Sequence, residues 1–458
     1  MYKRIFEKNI FNCYNTFMQL SSEVKFVLNR LNEAGYEAYL VGGSVRDFLL
    51  NKHNKDIDIT TNAIPEEVKR IFVDFPVIDT GIKHGTVTIL YNNLPIEITT
   101  YRIDGEYQDS RHPKEVKFTS SLKEDLSRRD FTINAMAYNN ELIDYYGGRD
   151  DLKNKMLRAV GNPNKRFEED ALRILRGLRF ASNLGFSIEE KTILAMRENK
   201  LLLKNISSER IQNELNAILL GDYVKDVMLD YYDIFEVILP EITPCVCFDQ
   251  HNSHHIYDVY AHIIVAVSSA VKDKVVRLTL LFHDLGKPES FSLDENKNGH
   301  FYRHAEKSEI IARNILNRLK YDNESKRQIL TLIRYHDAIL QDDVKQVKRW
   351  LNRLGEDMFR KLIEVQIGDN FAQHPKHRDR QVTLNNIKKL IDQIIAENNC
   401  FNLRQLAVNG YDMIELGYEK FQIKSALQYL LNAVINNEVE NERDKLINYL
   451  NYFDKKNE

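Results

Sequence analysis

Alternation of apolar and polar residues with a two-residue period is confined to the first 150 residues, and this limit constrains the fold more than any other feature of the chain. "YEAYLVGG", "DIDITT", "GTVTILY", "LPIEITTYR" and "ELIDYYG" each read as a strand. "YNNLP" between two of them reads as a hairpin turn. From about Asp151 onward the apolar spacing becomes three and four residues, as in "RFEEDALRILRGLRFASNLGF", with Gly185 as a helix stop. "KSEIIARNILNRLK" and "IKSALQYLLNAVINN" follow the same rule, while the polar "SLDENKNGHF" (292–301) reads as a surface loop. The expected fold class is α+β, a head with a small mixed sheet followed by an all-helical remainder. Met18 stands directly before a helical stretch, so residues 1–17 are read as an extension outside the fold. The expected parts are a head at 18–150, a helical neck at 151–240, a helical body at 241–374 and a helical tail at 375–458.

A chain of 458 residues exceeds what one core normally organises. Its 43% hydrophobic and 29% charged residues are those of a globular protein. No apolar run approaches the ~20 residues that cross a bilayer, so no membrane partner is expected. The N-terminal residues lack the apolar core of a secretion signal. Cys13, Cys245, Cys247 and Cys400 form no C-x-x-C pair and read as free thiols of a reducing cytoplasm. A net charge of −3 gives no global attraction for nucleic acid, so any RNA contact must come from local basic surfaces.

Chemistry concentrates in "AYLVGGSVRDFLLNKHNKDIDITT", residues 38–61. Asp56 and Asp58 alternate with apolar residues on a strand and so project from one face, ~6–7 Å apart. Two such charges raise each other's pKa unless a cation lies between them. A hard divalent ion such as Mg²⁺, which uses few carboxylates plus substrate phosphates, suits the pair. Gly42 and Gly43 let backbone N–H groups approach a phosphate where a helix begins, with Ser44 and Arg46 in its first turn to receive a triphosphate. Glu97, flanked by Ile96 and Ile98 on a later strand, is the candidate third acid. In a two-ion arrangement one ion activates an attacking hydroxyl and the other holds the leaving pyrophosphate. The structural alternative is a polar strand end after a tight turn.

"LVGGSVRDFLL…KDIDITT", "EYQDSRHPKEV", "LSRRDFTINAMAYN", "DYYGGRDDL", "RFEEDALRILRGLRF" and "SSERIQNEL" occur in this order over residues 38–220. Together they resemble the class II tRNA CCA-adding enzymes of the bacterial tRNA nucleotidyltransferase/poly(A) polymerase family, whose head is polymerase-β-like. The resemblance implies tRNA as partner at its acceptor end and elbow, CTP and ATP as substrates, and Mg²⁺ as cofactor. It assigns ribose contact to Arg129, Asp130 and Asn134 and base recognition to Asp170 and Arg173, with Glu169 and Arg176 as further nucleotide-binding candidates. Glu169 with Arg173, and Asp170 with Arg173, have the spacing of one helix face, which alone suggests an intrahelical salt bridge. Base chemistry gives a sharper reading. Cytosine and adenine both pair an exocyclic amine with a ring-nitrogen acceptor, so Asp170 accepts and Arg173 donates. Uracil and guanine present the reverse and would leave both groups unpaired. The segment 102–118, with Arg111, His112 and Pro113, resembles the loop that CCA-adding members use when changing from CTP to ATP. A-only addition and poly(A) synthesis are the sister activities.

Farther along, His262, His283, Asp284, His304, His336 and Asp369 lie on successive helical segments. Histidine followed by aspartate, with further His and Asp on neighbouring helices, suits a second divalent metal. The arrangement resembles the HD phosphohydrolase superfamily, which implies hydrolysis of phosphate esters; a helical body that only places tRNA is the alternative. The tail resembles the family segment that grips the tRNA elbow, although Glu419 and Lys420 stand where the family often has glycine.

Overall fold

The computed structural model describes residues 20–52, 56–79, 81–104 and 116–457. The extension 1–17, Cys13 and the loop residues Arg111, His112 and Pro113 lie outside them. The chain divides into two compact units, residues 1–223 with 231–238, and residues 224–230 with 239–458.

In the first unit the strands are β1 (Ala38–Val41), β2 (Ile57–Thr61), β3 (Val77–Ile78), β4 (Thr86–Tyr91), β5 (Leu94–Thr100), β6 (Arg102–Asp104), β7 (Val116–Phe118), β8 (Met136–Asn139) and β9 (Glu141–Asp144). Seven of them form one mixed sheet in the order β3-β4-β5-β2-β1-β8-β9. Within this sheet only β2 and β5 pair in parallel, which sets Asp58 directly beside Glu97; Met156–Leu157 and Ser187–Ile188 form a separate short parallel pair. β4 and β5 are joined through Asn92 and Asn93, at φ +51° and +61°. Two successive left-handed residues are what a tight, right-twisted hairpin requires, and asparagine tolerates that region. Val87, Ile89, Ile96 and Ile98 are fully buried on the inner face. β8 shows no alternation because Met136, Ala137 and Tyr138 are all buried, so its sequence reads as no strand.

Beyond the sheet come helices at Leu122–Ser127, Pro163–Glu169, Leu172–Leu184 and Ser208–Leu219. Gly185 ends the third with φ +70°, closing the helix as its position predicts. The expected single helix through "RFEEDALRILRGLRF" is instead two. Pro163–Glu169 stops at Asp170, whose φ of −145° and ψ of 99° are extended.

The second unit is helical. Val259–Ser269 packs against Lys274–Phe282 and Glu356–Phe371, and His304–Arg318 against Asn323–Tyr335. Residues 292–301 contain more structure than the expected loop: Phe291–Leu293 and Gly299–Phe301 pair as an antiparallel hairpin turned by Asp294. The tail has its own core of Met413, Leu430, Leu431 and Leu446. Glu419 caps the helix Lys420–Ile435 through a capping box with Gln422, which replaces the glycine turn by a capped start.

Candidate active site

β1 delivers the chain to Gly42 at φ +68°, and the helix Gly43–Leu49 begins there. This conformation suits a residue without Cβ, and space demands the same. A Cβ on Gly42 would lie 3.1 Å from Arg129 Nη1 and 3.7 Å from Asp58 Oδ2. β1 and β2 are antiparallel neighbours, so the glycine turn and Asp58 are brought side by side. The Ser44 hydroxyl donates to the Asp56 carbonyl at 2.8 Å and accepts from the Asp58 N–H at 3.2 Å. Ser44 is therefore a buried strap between the helix start and the acid strand. Asp56 and Asp58 face a cavity of about 690 Å³, and Ile59 points into the core. Glu97 is exposed beside Asp58 and does not line that cavity. Burial pushes the Asp58 carboxyl up, Arg129 pulls it back, and Asp56 adds a further rise. Burial also raises Glu97, with Asp58 and then Asp56 contributing by like-charge repulsion. This cluster of carboxyls under mutual repulsion fits a divalent cation.

Seven arginines line the cavity together with five aspartates, Asp56 and Asp58 among them. Arg46 donates to Asn134 Oδ1 at 2.7 Å and pairs with Asp47 at 2.8 Å. Asn134 donates onward to Asp130 Oδ1 at 3.0 Å, and Arg176 Nε holds Asp130 Oδ2 at 2.8 Å. Burial alone would raise Asp130, but the Arg176 charge and the Asn134 hydrogen bond outweigh it and hold the carboxyl far below the usual aspartate range. The guanidiniums of Arg46, Arg176 and Arg179 surround the ring of Phe180 at 5.1, 5.6 and 4.8 Å.

Glu169 and Arg173 pair at 2.8 Å, but across the break between two helices and not on the single helix face that their spacing suggested. Asp170 and Arg173 do not share a helix face, because the helix breaks between them; this corrects the expectation from spacing. Asp170 is instead gripped by Arg210 through two bonds of 3.2 and 2.8 Å. Arg173 also donates to the carbonyls of Arg166 at 3.1 Å and Arg128 at 2.8 Å. Base pattern pointed to neither Arg210, Arg179 nor Phe180. Arg210 lies within the quoted "SSERIQNEL", but no local spacing connects it to an acid forty positions away.

In the second unit, His262, His283, Asp284 and Asp369 bring ligand atoms within 4.8 Å of one another, and Asp284, His304 and His336 form a second such group. Asp284 Oδ2 lies 3.3 Å from His262 Nε2 and 3.2 Å from His283 Nε2, while Oδ1 lies 3.4 Å from His304 Nε2 and 3.8 Å from His336 Nε2. The Nδ1 atoms of His283, His304 and His336 lie 2.7, 2.9 and 2.7 Å from the carbonyls of Leu280, Phe301 and Ile333. A carbonyl only accepts, so each Nδ1 carries a proton, and such a ring offers an Nε2 lone pair to the cluster whenever Nε2 itself is unprotonated. His304 and His336 thus aim two lone pairs at each other across 3.1 Å. Burial would lower His283, but Asp284 and Asp369 overrule it and push the ring up to about 10. The acids of this cluster draw in positive charge.

Residues 38–158 match the family described as "Poly A polymerase head domain", residues 185–246 "Probable RNA and SrmB- binding site of polymerase A", and residues 300–450 "tRNA nucleotidyltransferase domain 2". The chain is 56% identical over 197 residues to a CCA-adding enzyme of Enterococcus faecalis, covering 43% of this chain and 48% of that protein. It is 52% identical over 209 residues to one of Lactobacillus helveticus, covering 45% and 52%. The chain thus spans about half the length of the curated relatives it matches. The Bacillus stearothermophilus CCA-adding enzyme in complex with CTP superposes with a TM-score of 0.69 at 28% identity, over 95% of this chain and 98% of that one. The Thermotoga maritima CCA-adding enzyme complexed with tRNA, at 19% identity and a TM-score of 0.60 over 95% and 97%, shares the fold. No described helix is long and apolar enough to cross a membrane.

Asp130→Asn would leave the Arg176 guanidinium without its counter-charge. Full burial would make that loss several kcal/mol, but the Arg176 side chain is 35% exposed, so we expect ~2 kcal/mol by urea denaturation. Because the folded carboxyl titrates below its ordinary value, its contribution is complete above about pH 4 and is lost on further acidification. The variant should therefore lose less stability than the parent between about pH 4 and pH 2; identical acid limbs would refute the pair's role.

Proposed function

The chain belongs to the tRNA nucleotidyltransferase/poly(A) polymerase family, and on that premise we propose that it builds or repairs the 3′-terminal CCA of tRNA from CTP and ATP, releasing pyrophosphate. The observation that carries this reading is one cavity holding Asp56 and Asp58 on one side, the Gly42 turn at its edge and an excess of arginine opposite. Relatives named CCA-adding enzymes match 197–209 residues of the chain at 50–56% identity. The free thiols of Cys245, Cys247 and Cys400 are consistent with a cytoplasmic setting.

Asp56 and Asp58, with Glu97 on the adjoining strand, would hold divalent cations, and the all-oxygen donor set favours Mg²⁺. When bound, the metal supplies charge neutralisation and a more acidic attacking hydroxyl. The protein's own share is placement. Gly42 and Gly43 admit the triphosphate to the backbone, and Arg46 and Arg129 neutralise it. Asp130 and Asn134 meet the ribose, Arg176 holding Asp130 in orientation as Glu169 holds Arg173. Asp170 and Arg173 then present an acceptor and a donor that suit cytosine and adenine alike. In-line attack by the RNA 3′-hydroxyl needs this positioning more than a dedicated protein base. The region described as RNA-binding and the helical tail would receive the tRNA body and elbow.

Incubating tRNA that ends at the discriminator base with CTP, ATP or both, and reading the added nucleotides, tests the proposal. CMP addition from CTP and CCA from the mixture are expected; AMP alone would indicate the A-adding sister activity. Asp58→Ala should abolish all incorporation while tRNA still binds, so retained CMP addition would refute the metal assignment. Arg173→Ala should relax the choice among the four triphosphates by ~10-fold or more, and unchanged preference would refute the base-reading role.

The facing lone pairs of His304 and His336, and the division of the Asp284 oxygens between two histidine pairs, favour a second activity in the second unit. We propose that His262, His283, Asp284, His304, His336 and Asp369 hold divalent metal for hydrolysis of phosphate esters, including 2′,3′-cyclic RNA ends. Purified protein should retain metal by elemental analysis and open a 2′,3′-cyclic nucleotide to its 2′- or 3′-monophosphate by adding water across one P–O bond, and Asp284→Asn should lose both. Absence of bound metal after incubation with Mn²⁺, Ni²⁺ or Zn²⁺ would refute it.

A further inference from the structure

Asp125 does not line the nucleotide cavity, yet it is fully buried and ionised among its partners. It lies on the helix Leu122–Ser127, one turn before the cavity residues Arg128 and Arg129. Its Oδ1 accepts from Arg128 Nε at 3.0 Å, from Arg128 Nη2 at 2.8 Å and from the backbone N–H of Arg102 at 3.3 Å. Its Oδ2 accepts from Arg129 Nη2 at 3.3 Å and from the Thr60 hydroxyl at 3.2 Å. One carboxylate therefore joins three places. Thr60 is two residues from Asp58 on the same face of β2, Arg102 opens β6, and the two arginines enter the cavity.

The consequence for Arg129 is directional. One edge of its guanidinium is anchored on Asp125, and Nη1 lies against Gly42 beside Asp58, where the triphosphate is expected. Arg129 Nε is buried with no partner among the described residues, so the guanidinium is held through Nη2 on Asp125. The consequence for Arg173 passes through the backbone, because Asp125 fixes the Arg128 side chain and the Arg128 carbonyl accepts from Arg173 Nη2 at 2.8 Å. We infer that Asp125 is a positioning residue that sets both the phosphate-facing Arg129 and the base-reading Arg173, acting from behind the cavity wall. The inference rests on the nucleotide-adding reading above.

Asparagine keeps the shape and the acceptor of Asp125 but removes the charge that two arginines share. In the full-length protein, Asp125→Asn should raise KM for both CTP and ATP by ~10-fold, as expected for weakened charge-assisted hydrogen bonds, and change kcat much less. It should also weaken CTP binding in the absence of tRNA and increase incorporation of UTP and GTP. Asp125→Glu, which restores the charge, should recover part of the KM loss. A purely structural role would lower the unfolding temperature and the active fraction, leaving KM and base choice untouched. Wild-type KM and CTP affinity in Asp125→Asn would overturn the inference. If that variant does not fold, Thr60→Val decides. Loss of the hydroxyl that steadies Oδ2 should raise KM about two- to three-fold, and an unchanged KM overturns the proposal. Should the unsubstituted protein add no nucleotide, the functional reading fails, while the CTP-binding comparison still judges the placement of Arg129.

Discussion

Contact between a left-handed glycine and a strand-borne acid organises the first unit. Gly42 can sit against Asp58 because it has no Cβ and because β1 and β2 run antiparallel, with Leu40 opposite Ile59. That pairing puts a helix start, with its unsatisfied N–H groups, next to a carboxylate. Ser44 then closes the arrangement by bonding to the backbone on both sides of Ile57. The parallel pairing of β2 with β5 adds Glu97 on the same face. Displacing β2 by one residue would turn Asp56 and Asp58 into the core and Ile57 and Ile59 outward. The fully buried Ile96 and Ile98 on β5, and Ile59 on β2, oppose that slip through the apolar surface they remove from water.

Around this contact the protein manages charge by pairing at the wall and leaving an excess toward the cavity. Asp130 restrains Arg176, Glu169 restrains Arg173 and Arg210 restrains Asp170. Each pair orients a group that would otherwise sample many rotamers, so less ordering would be required when a ligand enters the cavity. Arg179 with Glu214 repeats the device deeper in the wall. The proposed acceptance of both cytosine and adenine would benefit from such rigidity, because discrimination would then depend on leaving wrong partners unpaired rather than on reshaping the site.

The second unit solves a different electrostatic problem with helix geometry. His283 and His336 each stand just after a helix and return Nδ1 to the carbonyl three residues earlier, and His304 at a helix start does the same with Phe301. The fixed tautomer leaves Nε2 as a ligand, as orienting carbonyls do for histidine in metal sites. Asp284 Oδ2 also meets Lys287 at 2.7 Å, which supplies a positive charge at the rim of the cluster. The two units therefore carry two separate candidate chemistries, one built on oxygen donors and the other on histidine.

Features set by neighbouring residues were legible in the sequence. The alternation of Asp56 and Asp58 with isoleucines, the Asn92–Asn93 hairpin and the Gly185 stop are all local, and period or dihedral preference determines each. The histidines were legible as metal-ligand types, though not as two groups sharing Asp284. What tertiary structure alone decided is who meets whom. Spacing placed Asp170 and Arg173 on one helix, but the break at Asp170 frees it for Arg210, a partner forty residues on. β8 was hidden because burial on both faces erases alternation, and the hairpin at residues 291–301 because its strands are only three residues long. No local pattern marks Asp125, whose partners Thr60, Arg102, Arg128 and Arg129 are brought to it by folding. Local pattern encodes the shape of each segment, whereas the pairing of charges depends on packing between distant segments, and no period in the sequence records that.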